Sequence, residues 1–283
     1  MKSFTYCAVL AAAASLCAEA KWAQPRLVIS FWVDPVVNVS QFDARYAEIR
    51  NANFTAVLGG FGATSPADIQ AQIAAAEAHD LGVFVHADPS IPIDQLPSSN
   101  SSSFWGYQVK DEPDASEFPD LASTVSNISE WHPDKLAFIN LLPNYATDTQ
   151  LGSANYYDYV QDFVDTVHPD VLCMDHYPLF TAPAFEPTNN MTRAGYRDNL
   201  AVLRAAALQA DIPFWNFFNV MPYGSHEDPS LAQIRWQAFT SLAYGARGLL
   251  YFCYWSPGSF IGGGIVVQVR NTATGEVEFR QGM

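Results

Sequence analysis

Eight short apolar runs, separated by segments of helical periodicity, constrain this chain more than any other feature. They are Leu27–Val33, Phe54–Leu58, Gly82–Ala87, Trp105–Lys110, Leu136–Leu142, Val171–Met174, Ile212–Phe218 and Gly248–Trp255. Runs without an apolar/polar alternation must be covered on both faces, which is the mark of parallel strands. The segments between them suit the covering helices. Residues 39–51 carry Phe42, Tyr46 and Ile49 at helical spacing, and Ser65-Pro66 opens an alanine-rich helix to His79. Further helices are predicted over 118–130, 155–167, 191–210 and 230–244. The Pro- and Ser-rich stretch 90–103 has no periodicity. Eight strands alternating with helices predict an α/β fold of the (β/α)8 TIM-barrel type over residues 21–257. An open doubly wound sheet would want a Gly-rich phosphate loop after its first strand, where this chain has Trp32-Val-Asp-Pro35.

The pattern stops after Trp255. Gly262–Arg270 and Glu276–Phe279 read as a hairpin turning at Thr274-Gly275. Residues 258–283 are therefore expected to be a β extension in place of an eighth helix, or the tail of a truncated chain.

At the other end, Lys2, the apolar stretch Tyr6–Leu16 and Ala18-Glu-Ala20 predict a secretory signal peptide over residues 1–20. A soluble, secreted protein follows from that reading. Sequons at Asn38, Asn53, Asn100, Asn127 and Asn190 predict a glycoprotein. Cys7 and Cys17 leave with the signal, and Cys173 and Cys253 lie in apolar runs as buried hydrophobes, too few for a disulfide scaffold. The six histidines are scattered and no Cys-x-x-Cys occurs, so no metal site is expected. A net charge of −15 argues against nucleic acid and against an anionic membrane as partners.

In a barrel of parallel strands the chemistry sits where the strands end. Those ends are rich in acids, amides, imidazoles and aromatics: Trp32 and Asp34; His86 and Asp88; Asp111 and Glu112; Asn140, Asn144 and Tyr145; Asp175, His176 and Tyr177; Asn216, Asn219 and Tyr223; Tyr254 and Trp255. Adjacent carboxylates beside aromatic surface raise one another's pKa and make a general acid. Rings that stack on sugar faces, with side chains that pair with hydroxyls, suit a carbohydrate.

The series resembles glycoside hydrolase clan A, a (β/α)8 superfamily. Asp111-Glu112-Pro113 is similar to its acid/base motif at the end of strand four, Asp175-His-Tyr-Pro178 to its strand-six ending, and Trp255 to its strand-eight tryptophan. The resemblance implies a glycosidase with Glu112 as general acid/base, and it needs no cofactor. One element departs from it. The clan's nucleophile is a glutamate ending strand seven, where this chain reads Phe214-Trp-Asn-Phe-Phe-Asn219. Asp175 is therefore read as the second carboxylate, with Glu227 or Asp34 in reserve and Asp111 holding up the pKa of Glu112. Trp32, Tyr177, Tyr254 and Trp255 are expected as stacking walls, and Asp34, His86, Asn140, His176 and Asn219 as hydroxyl readers. A catalytically inactive glycan-binding barrel is the alternative. A lyase acting on uronic-acid polymers is the other, disfavoured by the scarcity of Lys and Arg on the rim.

Overall fold

The structure, a computed structural model, describes residues 22–34, 42–59, 63–180 and 195–255, and the backbone of 266–270 and 277–281. The signal segment with Cys7 and Cys17, and the sequons at Asn38 and Asn190, lie outside the described residues. Asn53, Asn100 and Asn127 are exposed.

Eight parallel strands alternate with helices, close to the expected bounds. They are β1 (Val28–Phe31), β2 (Ala56–Leu58), β3 (Gly82–His86), β4 (Phe104–Asp111), β5 (Leu136–Asn140), β6 (Leu172–Asp175), β7 (Phe214–Asn219) and β8 (Gly248–Phe252). The helices are α1 (Phe42–Asn51), α2 (Pro66–Ala78), α3 (Phe118–Trp131), a single turn α4 (Asp148–Leu151), α5 (Tyr156–Val167), α6 (Tyr196–Ala210) and α7 (Leu231–Ala243). Local chemistry sets their starts. Ser65 Oγ accepts from the Asp68 N–H with Pro66 in the first turn of α2, and Ser230 and Gln233 form a capping box at α7. Between β3 and β4 the described chain makes only a 3-10 turn, Ile93–Gln95, as its lack of periodicity implies. After β8 come two antiparallel strands, β9 (Val266–Arg270) and β10 (Val277–Gln281), which form the expected hairpin.

The strands do not close into one ladder. They form two four-stranded parallel sheets, ordered β1-β8-β7-β6 and β2-β3-β4-β5. At one seam the Thr55 N–H donates to Ile29 O (2.9 Å), but the Ile29 N–H is taken by Thr55 Oγ1 (2.8 Å), so a side chain replaces a ladder rung. At the other, a single parallel bridge joins Leu141 to Met174, with the Leu141 N–H donating to Cys173 O (2.8 Å). The seams fall at short strands, β2 with three residues and β6 with four.

Side chains alternate across each strand, and burial separates them into two layers. Val28, Ala56, Leu58, Phe84, Trp105, Leu136, Phe138, Cys173, Trp215, Phe217 and Leu250 pack together inside, among the strands. Their alternates, such as Val57, Val85, Ile139 and Met174, face the helices. Two glycines make room for the largest inner rings. A Cβ on Gly82 would meet Trp105 Cδ2 at 2.2 Å, and one on Gly248 would meet Trp215 Cγ at 2.3 Å. Residues 22–26 close the N-terminal end. Trp22 packs edge-on against Trp215, whose Nε1 donates to Gln24 Oε1 (3.0 Å), while Gln24 Nε2 ties down the Arg26 and Arg247 carbonyls.

Candidate active site

The C-terminal strand ends gather the candidate groups. Inner positions there belong to Trp32, His86, Gln108, Asn140, Asp175, Tyr177 and Asn219, by the same alternation that places Phe84, Phe138, Cys173 and Phe217 inside. Next to them stand Asp111, at the end of β4, and Glu112.

Asp175 and Glu112 are close enough to bear on each other's protonation. Asn140 ties the group together: its Nδ2 donates to Asp111 Oδ1 (3.1 Å) and to Asp175 Oδ1 (3.2 Å). Asp175 is 7% exposed, whereas Asp111 and Glu112 open to solvent on one side and are crowded by protein on the others. All three are raised. Burial chiefly, with the charges of Glu112 and Asp111, pushes Asp175 well above the usual carboxylate range. Crowding pushes Asp111 up to about 6, aided by the Glu112 charge and opposed by Asn140 and Lys110. Desolvation raises Glu112, while its bond with Asp175 pulls the other way.

The backbone beneath this group is strained and fixed. Glu112 has φ +47°, a left-handed conformation that costs a non-glycine residue about 1–3 kcal/mol. The Glu112 N–H donates to Asn140 O (2.8 Å). Tyr159, from α5 and fully buried, donates its hydroxyl to Pro113 O (2.7 Å) and accepts from the Leu142 N–H (3.4 Å). It thus pins the residues that follow β4 and β5 to the same helix.

Other expected site residues are turned elsewhere. Asp34 is buried under α1 and α2, where Gln72 Nε2 donates to its Oδ2 (2.5 Å) and its charge bears on Tyr46. Tyr254 stacks on Phe31 in the outer layer, and the Arg45 guanidinium of α1 lies 6.0 Å from the Trp255 ring. His176 also faces outward: its Nδ1–H donates to Asn199 Oδ1 (3.0 Å), an amide oxygen that also accepts from the Asn144 N–H (2.9 Å). Tyr145 meets the His176 ring edge-on at 5.0 Å. Asn216 bonds outward to Tyr196 and Ser241. Glu227, its pKa raised by burial, accepts from Gln233 at the start of α7.

The wall beside Asp175 is aromatic. Tyr177 meets Phe252 at 5.1 Å and stands edge-on to Tyr223 and His226, which stack on each other at 4.1 Å. Trp32 packs edge-on against Phe217 at 5.5 Å. Sequence reading missed Gln108, Tyr159, His226 and Phe252. The inward phase of β4 and β8 could have found Gln108 and Phe252; nothing local marks Tyr159. Among the described residues no cluster of His, Cys, Asp and Glu has the arrangement of a metal site.

No family model and no curated protein sequence matches the chain. Solved structures do. A candidate α-L-fucosidase from Bacteroides thetaiotaomicron aligns with a TM-score of 0.56 at 9% identity, covering 83% of this chain and 89% of its own. A β-mannanase from the blue mussel Mytilus edulis aligns at 0.53 and 11% identity, covering 80% and 87%. A candidate deoxyribose-phosphate aldolase from Coccidioides immitis also aligns, at 0.47 and 13% identity, covering 80% of each chain. At such identities the likeness is one of fold: a mixed α/β chain of parallel strands with TIM-barrel neighbours. Those neighbours include glycoside hydrolase-like barrels.

Proposed function

We propose that this chain is a secreted glycosidase on a closed (β/α)8 barrel, hydrolysing a poly- or oligosaccharide without a cofactor. The observation that carries this reading is the carboxyl group of Asp111, Glu112 and Asp175, drawn from two strand tips, tied together by Asn140 and set beside an aromatic wall. Glycoside hydrolysis needs one carboxyl to protonate the leaving oxygen and a second to act as nucleophile or base. Glu112 opens toward solvent and is the group that meets the glycosidic oxygen. Asp175 is the second carboxyl, facing the anomeric carbon. A carboxyl separation of about 5–5.5 Å in the substrate complex gives retention, and about 6.5–9.5 Å gives inversion.

Reducing-sugar release from a polysaccharide panel tests the proposal. Glu112→Gln and Asp175→Asn should each lose about 10²–10⁴-fold in rate. Full activity in either variant would sink it. The second reading, a glycan-binding barrel without hydrolysis, is favoured by the absence of an acid on β7, which ends in Asn219. Binding of oligosaccharide with no release from the wild type would select it.

A further inference from the structure

Hydrolysis needs two carboxyls, yet this site holds three. Among the described residues no Lys or Arg forms an ion pair with Asp111, Glu112 or Asp175; Lys110, the nearest in sequence, is turned to Glu117 at 2.5 Å. Asn140 cannot supply what is missing, because its one amide nitrogen already serves both Asp111 and Asp175. Its Oδ1, in a residue only 3% exposed, has no partner. Gln108 Oε1, also at an inner position on β4, has none either. Asn219, fully buried at the inner end of β7, has neither polar atom satisfied. Leaving such groups unmade costs about 1–3 kcal/mol each, so the arrangement points to a ligand that completes them.

The balance of these groups says what kind of ligand. Of the buried amide atoms left without a partner here, three are oxygens that accept, on Asn140, Gln108 and Asn219, and one is a nitrogen that donates, Asn219 Nδ2. A neutral sugar brings hydroxyls that donate and accept about equally. A protonated amine brings three donors and a positive charge, and no acceptor. We infer that the site takes a sugar carrying a free, protonated amine, with Asp111 as its ion-pair partner and the neighbouring amide oxygens as further acceptors. Capping that amine as an acetamide removes the charge and adds an acceptor where acceptors are already in excess. The net charge of −15 acts in the same direction, drawing cationic oligomers to the recess. This inference rests on the reading that the recess binds sugar.

The test compares oligomers of glucosamine and of galactosamine, each beside its fully N-acetylated counterpart, in buffer at about pH 7, where Asp111 is ionised and a primary amine is still largely protonated. Dissociation constants are measured by calorimetry on Glu112→Gln, which keeps Asp111, and kcat/KM on the wild type. The free-amine forms should bind about tenfold tighter at low salt, with the ratio shrinking at high ionic strength. Adding Asp111→Asn should bring the ratio toward one. Equal or tighter binding of the N-acetylated forms overturns the inference, as does a preference that ignores both salt and Asp111→Asn. The two proposals separate cleanly. Sugar released from N-acetylated or neutral polymers alone, and lost in Glu112→Gln, keeps the glycosidase and refutes amine recognition. An amine preference in binding, with no release of any sugar, keeps the recognition and refutes the hydrolase.

Discussion

Tyr159→Phe removes one oxygen atom and tests whether the strained glutamate is held from behind. The lost hydroxyl donates to Pro113 O at 2.7 Å and accepts a longer bond, 3.4 Å, from the Leu142 N–H, in a residue with no exposed surface. Phenylalanine fills the same space, so no cavity forms. The cost is that of two backbone groups left unpaired in the interior. A buried carbonyl without its donor is worth about 1–3 kcal/mol, and the longer N–H bond less than about 1. A total of about 2–3 kcal/mol lowers Tm by roughly 4–12 °C in a protein of this size. A purely structural tyrosine would do no more. If Tyr159 positions Glu112, the variant, assayed well below its melting point and at saturating substrate, should also lose about tenfold in kcat, because small misplacements of a reacting group are expensive. Thermal melting and steady-state kinetics on one preparation read both effects. An unchanged Tm refutes the hydrogen-bond accounting; a lowered Tm with full kcat refutes the positioning role.

Two further outcomes follow from the site and the core. Because Asp175, Glu112 and Asp111 all titrate higher in the folded chain than as free carboxyls, the native state binds more protons than the unfolded one. Their contribution is complete below the ordinary carboxylate range and is lost as pH rises, through about 6 for Asp111 and further for Asp175. The difference in Tm between Asp175→Asn and the wild type should therefore shift in favour of the variant from about pH 4 to 7; a shift the other way would refute the raised titration of Asp175. In the core, Gly248→Ala sets a methyl 2.3 Å from Trp215 Cγ, in a ring packed on every side. Overpacking of this kind costs about 1–3 kcal/mol, so the denaturation midpoint should fall. An unchanged midpoint would mean that the inner aromatic layer is looser than its contacts indicate.

The strands and helices were legible because covering a parallel strand on both faces leaves a mark in composition, and helix starts carry their own caps, as at Ser65 and Ser230. The rim was legible only as a set of strand ends. A strand end alternates its side chains between two layers, and one residue of phase decides which layer a group joins. Asp175 and His176 are neighbours in sequence, yet one meets Glu112 and the other turns to Asn199 on α6. Trp255 and Tyr254 lie past the regular pairing of β8, where phase no longer predicts direction, and both settle toward α1. Asp34 was claimed by Gln72, a helix residue whose polarity gave no hint of a buried partner. Tyr159 acts through backbone carbonyl and amide groups, which have no sequence signature.

The two seams bear on how such a site can be inherited. Glu112 and Asp111 belong to the β2–β5 sheet, and Asp175 to the sheet of β6, β7, β8 and β1. The carboxyl group is thus assembled across a boundary, bridged in the backbone by Leu141 and Met174. A chain cut in the connection between β5 and β6 would leave each fragment with only part of it. Split fragments of this protein would regain the full acid group only on reassembly, which makes the chemistry itself a reporter of whether the halves have found their proper register.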